Sequence, residues 1–167
     1  MDETAKKTAL RMIPYGIYVL TARGADGAVA AATVNWVTQT SFKPPLLAVG
    51  VKADSNAHAL VKATKAFALN VLGKGQQKLA FAFFKPAVLE GNRISGEPFR
   101  AGVTGAPLLE SAPAFVECRV VNALEGGDHT LFLAEVVEAG VAKAPAGRAD
   151  DATLWMRELG DTVFYGG

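Results

Sequence analysis

The stretch YGIYVLTARGADGAVAAATVN, residues 15–35, decides the fold class of this chain. Its first part, Tyr15 to Thr21, is rich in β-forming residues. Asp26-Gly27 is a turn signal between two strand-like runs. Ala28 to Asn35 then forms the returning strand, and its small alanines leave room for another group to lie close to the backbone. The stretch therefore predicts an antiparallel hairpin.

The rest of the chain alternates short strands with few helices and with glycine- or proline-rich connections. A helix capped by Asp2 is predicted to run to about Met12, with Leu10 and Ile13 on its inner face. Further strands are predicted over 46–51, 67–72, 114–124 and 130–141, helices after Ser55 and over 76–84, and loops over 36–45 and 85–107. The pattern predicts a mainly β protein, a closed or nearly closed antiparallel β-barrel with short helices, in one domain over residues 1–167.

The overall composition argues against several classes of protein. Of the 167 residues, 50% are hydrophobic and 20% charged, and the net charge of +1 gives no overall attraction to nucleic acid or to a membrane surface. No run approaches the roughly 20 apolar residues that span a bilayer. Met1 is followed by Asp2 and Glu3 rather than by a basic segment and an apolar run, so no signal peptide is visible and a cytoplasmic location is expected.

Cys118 is the only cysteine, so an intrachain disulfide is impossible. In a strand, Val116, Cys118 and Val120 share the apolar face, and we expect a core thiol rather than a nucleophile. His58 and His129 are the only histidines, and nothing in the sequence resembles a zinc cluster, so no metal site is expected.

The segment from Thr33 to Ser41 places hydrogen-bonding side chains along a strand end and the loop that follows. The nitrogen and oxygen atoms at the edge of an isoalloxazine ring need such donors and acceptors, while the faces of the ring need apolar contacts. Trp36 or Phe42 would supply part of that apolar wall. The same composition also fits an ordinary Ser- and Thr-rich turn before Pro44-Pro45, and the residues alone leave both interpretations open.

The segment from Lys52 to His58 has the features of a phosphate site. Ser55 is a suitable N-cap, so free backbone N–H groups at the start of the helix would point toward an anion, and Lys52 lies just before them. A plain helix cap beside a solvated lysine explains these residues equally well. Neither a Walker loop nor a Rossmann glycine pattern occurs in a useful context.

Six short motifs, in this order, resemble the flavin reductase-like domain family. They are YGIYVLT at 15–21, DG at 26–27, the segment 33–45 ending in Pro-Pro, Lys52 with Ser55, FALNVL at 67–72, and GDH at 127–129 before a strand. Each motif alone is weak, but six at this spacing are fairly specific, and they cover residues 9–141, which is most of the chain.

The resemblance implies an FMN-binding split β-barrel of antiparallel Greek-key type that works as a homodimer, with FMN, or FAD in some members, near the subunit interface. The residues that would line the flavin ring and ribityl chain are Thr33, Asn35, Trp36, Val37 and Thr38. Those that would hold the phosphate are Ser41, Lys52, Ser55 and Asn56, with His58 close enough in sequence to contribute. His129 would lie beside the nicotinamide, and its alternative role is that of a solvent-facing turn residue.

The activity that the resemblance implies is NAD(P)H:flavin reductase. A hydride passes from NADH or NADPH to flavin N5, and no protein acid or base is strictly required. A non-enzymatic FMN electron carrier is an alternative, as is a split-barrel module for another cofactor such as heme or a pyridoxal compound. The tail, residues 157–167, is more similar to the flavoredoxin branch, which leaves the acceptor open between free flavin, an iron protein and another redox carrier.

Overall fold

The structure is a computed structural model that describes residues 1–166. Its helices are α1 (Glu3–Arg11), α2 (Asn56–Thr64) and α3 (Gln77–Ala82), and short 3-10 helices cover Asp150–Ala152 and Met156–Leu159. The strands are β1 (Tyr18–Arg23), β2 (Val29–Val34), β3 (Val37–Ser41), β4 (Leu46–Lys52), β5 (Ala66–Val71), β6 (Leu89–Glu90), β7 (Arg93–Ile94), β8 (Glu97–Ala101), β9 (Pro107–Leu109), β10 (Ala114–Glu125) and β11 (His129–Val141).

The main sheet has seven strands in the order β2-β1-β5-β10-β11-β4-β3. All neighbouring pairs are antiparallel. The predicted hairpin is confirmed, since β1 pairs with β2 from Tyr18 opposite Val34 to Arg23 opposite Val29. Its turn contains Gly27 at a φ of +87°, a conformation that glycine adopts without steric cost.

The main sheet curls around an apolar core that α2 fills from one side. Val61 of α2, Phe67 of β5, Phe132 of β11 and Cys118 of β10 are fully buried in one cluster, which confirms the expected core position of the thiol. β2 and β4 both contact α2, but no ladder joins these two strands within the described residues. The barrel is therefore split between β2 and β4, and the mainly β architecture expected from the sequence is confirmed.

Residues 37–41 form a strand, so the predicted polar loop over 36–45 is wrong in this part. β3 pairs with β4 from Val37 opposite Val49 to Ser41 opposite Leu46. It lies at the edge of the main sheet, and its three central side chains are exposed, so polar residues are tolerated and no apolar alternation marks the strand. Its conformation depends on the ladder with β4, which the segment itself does not reveal.

The segment expected to be a long loop with short elements, 85–107, contains β6, β7 and β8 and reaches the start of β9. These strands form a small antiparallel sheet. Ile94 and Leu108 are buried beneath it. The hydroxyl of Thr21 in β1 donates to the Pro107 carbonyl, which holds the small sheet against the barrel.

The helix α1 begins as predicted, because the Asp2 carboxylate accepts hydrogen bonds from the N–H groups of Thr4 and Ala5. Its predicted inner face is wrong, since Leu10 and Ile13 are 42% and 48% exposed. The helix buries none of its residues, so its cap and local propensity determine it rather than packing. Among residues 1–166, no helix has both the length and the apolar character needed to cross a bilayer.

Candidate functional site

A cavity of about 260 Å³ lies at the split between β2 and β4. Thr33 and Asn35 line it from β2 and its end, and Lys52 lines it from the end of β4. Ser55, the N-cap of α2, lies on the same rim. The structure thus brings together residues that were predicted from two separate segments of the sequence.

Two polar side chains of the β2 segment reach this cavity from a buried backbone. The Thr33 hydroxyl donates to the Ala80 carbonyl at the end of α3, at 2.7 Å, which fixes its orientation and leaves its oxygen lone pairs as acceptors. Asn35 is only 3% exposed, and its Nδ2 donates to the Tyr165 carbonyl at 3.0 Å. This bond to the tail is the one side-chain hydrogen bond of Asn35 within residues 1–166.

Trp36 covers Gly50 of β4 beside the cavity. A Cβ atom at Gly50 would come within 3.2 Å of the Trp36 ring, so glycine is what allows the indole to lie on the strand. The Gly50 N–H donates to the Trp36 carbonyl at 2.9 Å and fixes the backbone. Among the described residues, the buried Trp36 Nε1 has no hydrogen-bond partner. A buried indole N–H normally finds an acceptor, so this donor is suited to a ligand.

His129 starts β11 opposite Lys52. Its ring centroid lies 4.5 Å from that of Trp36. Nδ1 is 2.9 Å from the Asp128 carboxylate, and Nε2 is 2.7 Å from the Tyr165 hydroxyl. Because a carboxylate only accepts, Nδ1 carries a proton, and in the neutral ring Nε2 accepts from Tyr165. The hydrogen bond from His129 lowers the pKa of Asp128.

The start of α2 lies at the rim of the cavity, where Ser55 is its N-cap. Ser55 Oγ accepts from the His58 N–H at 3.1 Å and donates to the Lys52 carbonyl at 2.7 Å, so the cap is fixed to the end of β4. The exposed Lys52 ammonium lies 3.1 Å from the Asp54 carboxylate, whose hydrogen bond raises the pKa of Lys52. The nine-residue helix places its partial positive charge at this end. An anion here would share Lys52 with Asp54.

The tail closes the cavity, a role that the sequence did not predict. Gly160 to Gly166, which we call the C-terminal strap, runs across the opening, and Val163, Phe164 and Tyr165 line it. Tyr165 also lies against the indole of Trp36, with ring centroids 5.4 Å apart. The available signal was a pair of adjacent aromatic residues beside two glycines at the end of the chain, which does not indicate what they contact.

Residues 10–159 match the family described as "Flavin reductase like domain". This chain belongs to that family. It is 32% identical to the reductase component of the 4-nitrophenol 4-monooxygenase/4-nitrocatechol 2-monooxygenase of Rhodococcus opacus, over 99% of this chain and 84% of that protein. It is also 31% identical, over 86% of its length, to Diflavin flavoprotein A 1 of Synechocystis sp., of which it spans only 25%.

A solved structure supports the same assignment. NADH:FAD oxidoreductase SgcE6 of Streptomyces globisporus C-1027, in complex with NAD and FAD fragments, has 35% sequence identity and a TM-score of 0.68. The match covers 77% of this chain and 76% of that chain. The split barrel described above is therefore the fold of this flavin reductase like domain.

One predicted site residue of this flavin reductase like domain lies in the core. His58 is 8% exposed, its Nε2 is 2.8 Å from the Thr130 hydroxyl, and its ring lies against Phe132. The predicted contact with phosphate is not what the structure shows for this side chain. His58 lies three residues after the cap, and at this position of α2 the side chain faces the barrel interior. Its closeness to Ser55 in the sequence therefore does not bring its ring to the cavity.

Six other predicted residues do not line the cavity. Trp36 and His129 lie beside it, against the lining residues Gly50 and Tyr165. Val37, Thr38 and Ser41 lie along β3, past the point where the chain leaves the cavity rim, and Thr38 is exposed. Asn56 is exposed at the first turn of α2. Their predicted contacts with flavin stay predictions.

A second cavity, of about 390 Å³, lies on the other side of the strap. It is lined by the end of α1, the short helix at Met156–Leu159 and the strap itself. Val163, Phe164 and Tyr165 of the strap line both cavities, as does Met156, so the strap forms most of the wall between them.

Proposed function

We propose that this chain is an NADH-dependent flavin reductase that holds FMN at the split of its barrel, with residues 1–167 acting as one domain. The observation that carries the proposal is the convergence of Thr33, Asn35, Lys52 and Ser55 on one cavity. Beside that cavity lies the buried N–H of Trp36, which has no hydrogen-bond partner among residues 1–166. Membership in the flavin reductase like domain family gives the chemical context.

The residues around the cavity fit a phosphorylated flavin. The Trp36 N–H and the Asn35 amide supply hydrogen-bond donors for the edge of a flat heteroaromatic ring, and the Thr33 oxygen supplies an acceptor. Ser55, Lys52 and the start of α2 offer a seat for the phosphate. The apolar residues that would contact the faces of the ring from the strand side include Ala32 and Val51.

The chemistry that flavin supplies when bound is acceptance of a hydride from a reduced nicotinamide. The contribution of the protein is to position the two rings and to exclude water. His129 would orient the nicotinamide, because its Nδ1 is held by Asp128 and its Nε2 contacts the hydroxyl of Tyr165, a residue that lines the cavity. The fixed ring gives a hydrogen-bonding group of defined direction, which is the pre-organisation that such a site needs.

The test is an anaerobic titration of the purified protein with NADH and, separately, with NADPH. We expect a yellow protein whose visible flavin absorbance bleaches with NADH. The cofactor released on denaturation should be FMN rather than FAD, as identified by mass. A flavin that stays oxidised would contradict the reductase proposal and favour an electron carrier. A colourless protein that binds no FMN on titration would contradict the flavin site itself.

His129 offers a sharper test of the nicotinamide side. We expect His129→Ala to raise the KM for NADH about tenfold, the scale of one lost hydrogen bond to a bound group, with a smaller change in FMN affinity. His129→Phe is the matched variant, because it keeps an aromatic ring against Trp36 and removes the ring nitrogens. We expect it to raise the KM for NADH as His129→Ala does, because both variants lose the hydrogen bond. Equal KM values for wild type and both variants would contradict the assigned role.

The proposed partner is a protein that takes up the reduced flavin that the reductase produces. The Rhodococcus opacus relative is named as the reductase component of a monooxygenase, and we propose that this chain likewise releases reduced flavin to an oxygenase. A direct redox partner is the alternative. Stimulation of an added flavin-dependent oxygenase across a dialysis membrane would support free diffusion, and activity only on direct mixing would contradict it.

We further propose that the chain works as a homodimer through the outer face of the β10–β11 hairpin. Leu124 and Leu131 are directly opposite each other in the ladder and are 64% and 41% exposed, and Val121 nearby is 52% exposed. An apolar group of this kind is typical of an interface. Light scattering should give a dimer that Leu131→Lys dissociates, whereas Val141→Lys, at the far end of the ladder, should not. A wild-type monomer with full flavin content would contradict the proposal.

A further inference from the structure

The C-terminal strap makes specific contacts with the residues proposed to bind flavin. The Tyr165 carbonyl accepts from Asn35, its hydroxyl bonds to His129, and its ring lies against Trp36. A Cβ atom added to Gly166 would be 3.6 Å from the buried Trp36 Nε1. The strap therefore uses the hydrogen-bonding groups that a flavin or nicotinamide would need.

The strap is attached weakly compared with the strands around it. Within residues 1–166, no backbone–backbone hydrogen bond joins 164–166 to the barrel, and the one such bond inside the strap is a turn from Val163 N–H to the Gly160 carbonyl. Phe164 and Tyr165 are 52% and 44% exposed. Gly160 has a φ of +130°, which only glycine adopts readily, and it lies where the strap leaves the last short helix. These features are those of a segment that can swing away from the barrel.

The size of the cavity shows why the strap would have to move. Ligand pockets of this class measure roughly 300–1,000 Å³, and the space left beside the strap is about 260 Å³. The strap residues Val163, Phe164 and Tyr165 form most of the wall shared with the cavity of about 390 Å³, together with Met156, so displacing the strap would enlarge the space toward that side.

We propose that the C-terminal strap is an internal competitor of flavin, with Tyr165 as the residue that occupies the site, and that flavin binding displaces it. This inference rests on the flavin site proposed above. The proposal requires two states. In the closed state Tyr165 is hydrogen-bonded to Asn35 and His129, and in the open state these two side chains are available to the ligand. The flavin affinity measured in solution is then the intrinsic affinity reduced by the population of the open state.

Arg11 holds the strap from the side opposite the flavin cavity. Its guanidinium carbon lies 4.1 Å from the centre of the Phe164 ring, and its Nε donates to the Gly166 carbonyl at 3.4 Å. Arg11 lines only the other cavity. A change at Arg11 therefore alters the closed state without altering any residue proposed to contact flavin.

The first test is the FMN dissociation constant of full-length Arg11→Gln, with Lys7→Gln as the matched control. Lys7 lies on the same helix, so both variants lose one positive charge, but only Arg11 contacts the strap. We expect Arg11→Gln to bind FMN about threefold more tightly than wild type, the scale of one exposed cation–π contact, and Lys7→Gln to bind as wild type does. Unchanged or weaker binding by Arg11→Gln would overturn the proposal.

The second test measures the strap directly, by hydrogen exchange of the peptide that covers residues 160–167 with and without FMN. Ligands usually slow exchange, and displacement predicts the opposite here: faster exchange in the strap, with slower exchange at the start of α2. Slower exchange in the strap on FMN binding would overturn the proposal, because the strap would then be a wall of the occupied site.

A third variant separates failure of this inference from failure of the flavin site. Tyr165→Ala should bind FMN about tenfold more tightly than wild type, because it removes the hydroxyl contact with His129 and the ring that lies against Trp36 from the closed state, while the main-chain carbonyl that accepts from Asn35 remains. If all proteins bind FMN with one affinity, the strap proposal fails and the flavin site stands. If none binds FMN although all are folded by circular dichroism, both proposals fail.

Discussion

Two buried asparagines of this barrel have very different partners. Asn70, fully buried on β5, donates to the carbonyls of Val19 and Pro107 and to the Thr21 hydroxyl, and its Oδ1 accepts from the Leu109 N–H. Asn35, almost as buried, has a single side-chain bond among the described residues, to the strap. The first joins β1, β5 and β9 and is structural. The second bonds only to the strap within the described residues, and the flavin proposed above would take the place of that partner.

The comparison extends to the residues around each asparagine. Near Asn70, every hydrogen-bond partner belongs to β1 or β9, so strands of the barrel and of the small sheet satisfy this region. Near Asn35, Trp36 Nε1 is buried without a partner in the described part of the chain, and Tyr165 satisfies the rest. Burial alone therefore does not distinguish a structural polar residue from a functional one, whereas the origin of its partner does.

The largest expected effect is at Asn70. Asn70→Ala leaves the Leu109 N–H and the Pro107 carbonyl buried without this partner, and we expect a loss of about 3 kcal/mol in the free energy of unfolding. Urea denaturation measures it. A loss below about 1 kcal/mol, the value of one ordinary hydrogen bond, would remove the distinction between the two asparagines.

Glu117 is a second buried polar residue whose partners are structural, and we expect it to contribute to stability as Asn70 does. It is 1% exposed and accepts from the Val103 N–H and from the N–H and hydroxyl of Thr104, at 3.0, 2.8 and 2.6 Å. Glu117→Gln places an amide N–H₂ against one of these donors, and we expect a loss of about 2 kcal/mol in unfolding free energy. Glu138→Gln is the matched control, since Glu138 is opposite in the ladder but exposed. Equal stability of the two variants would contradict the prediction.

The buried thiol of Cys118 should make the stability of the protein depend on pH. Burial, with a smaller contribution from Glu117, raises the pKa of its thiol from 9.0 to about 12. The raised pKa means that the folded state retains a proton that the unfolded state loses, so this stabilisation is complete below pH 9 and declines as the pH rises toward 12. Between pH 9 and 10 we expect wild type to lose about 1 kcal/mol relative to Cys118→Ala. Parallel pH profiles of the two proteins would show that the thiol is accessible to water.

The smallest expected effect on stability is at Asn35. Asn35→Ala removes one hydrogen bond to a half-exposed residue of the strap, and we expect less than about 1 kcal/mol of lost unfolding free energy. The same change should weaken FMN binding clearly, because the amide is proposed to meet the ring edge. Thermal denaturation and FMN titration of one preparation give both numbers. A large loss of stability without a change in FMN affinity would make Asn35 a structural residue like Asn70.

Local signals were sufficient where the physical cause is local. Ser55 was predicted as a cap and acts as one, because the bond to the His58 N–H spans three residues. The Asp26-Gly27 turn was predicted because φ > 0 at a tight turn favours glycine. Thr33, Asn35, Lys52 and Ser55 line one cavity because β2, β4 and α2 meet there, and their contacts with flavin and phosphate stay predictions.

The errors came from contacts that no short segment encodes. β3 forms because β4 offers an open edge, not because residues 37–41 have a strong strand pattern. His58 turns inward because α2 packs on the barrel, which its distance from Ser55 in the sequence does not reveal. The bond between Asn35 and Tyr165 joins positions 130 residues apart, so the contact of the strap with the site could not be derived from either segment.

The buried Cys118 has a practical consequence for following the strap. Because this chain has one cysteine and its thiol is fully buried, wild type offers no surface position for a maleimide dye or a nitroxide. One engineered cysteine in the strap and one on α3 would therefore report a single pair of positions, without any need to remove a native residue first. Distance distributions between such a pair would resolve the closed and open populations directly, in one sample, as FMN is added.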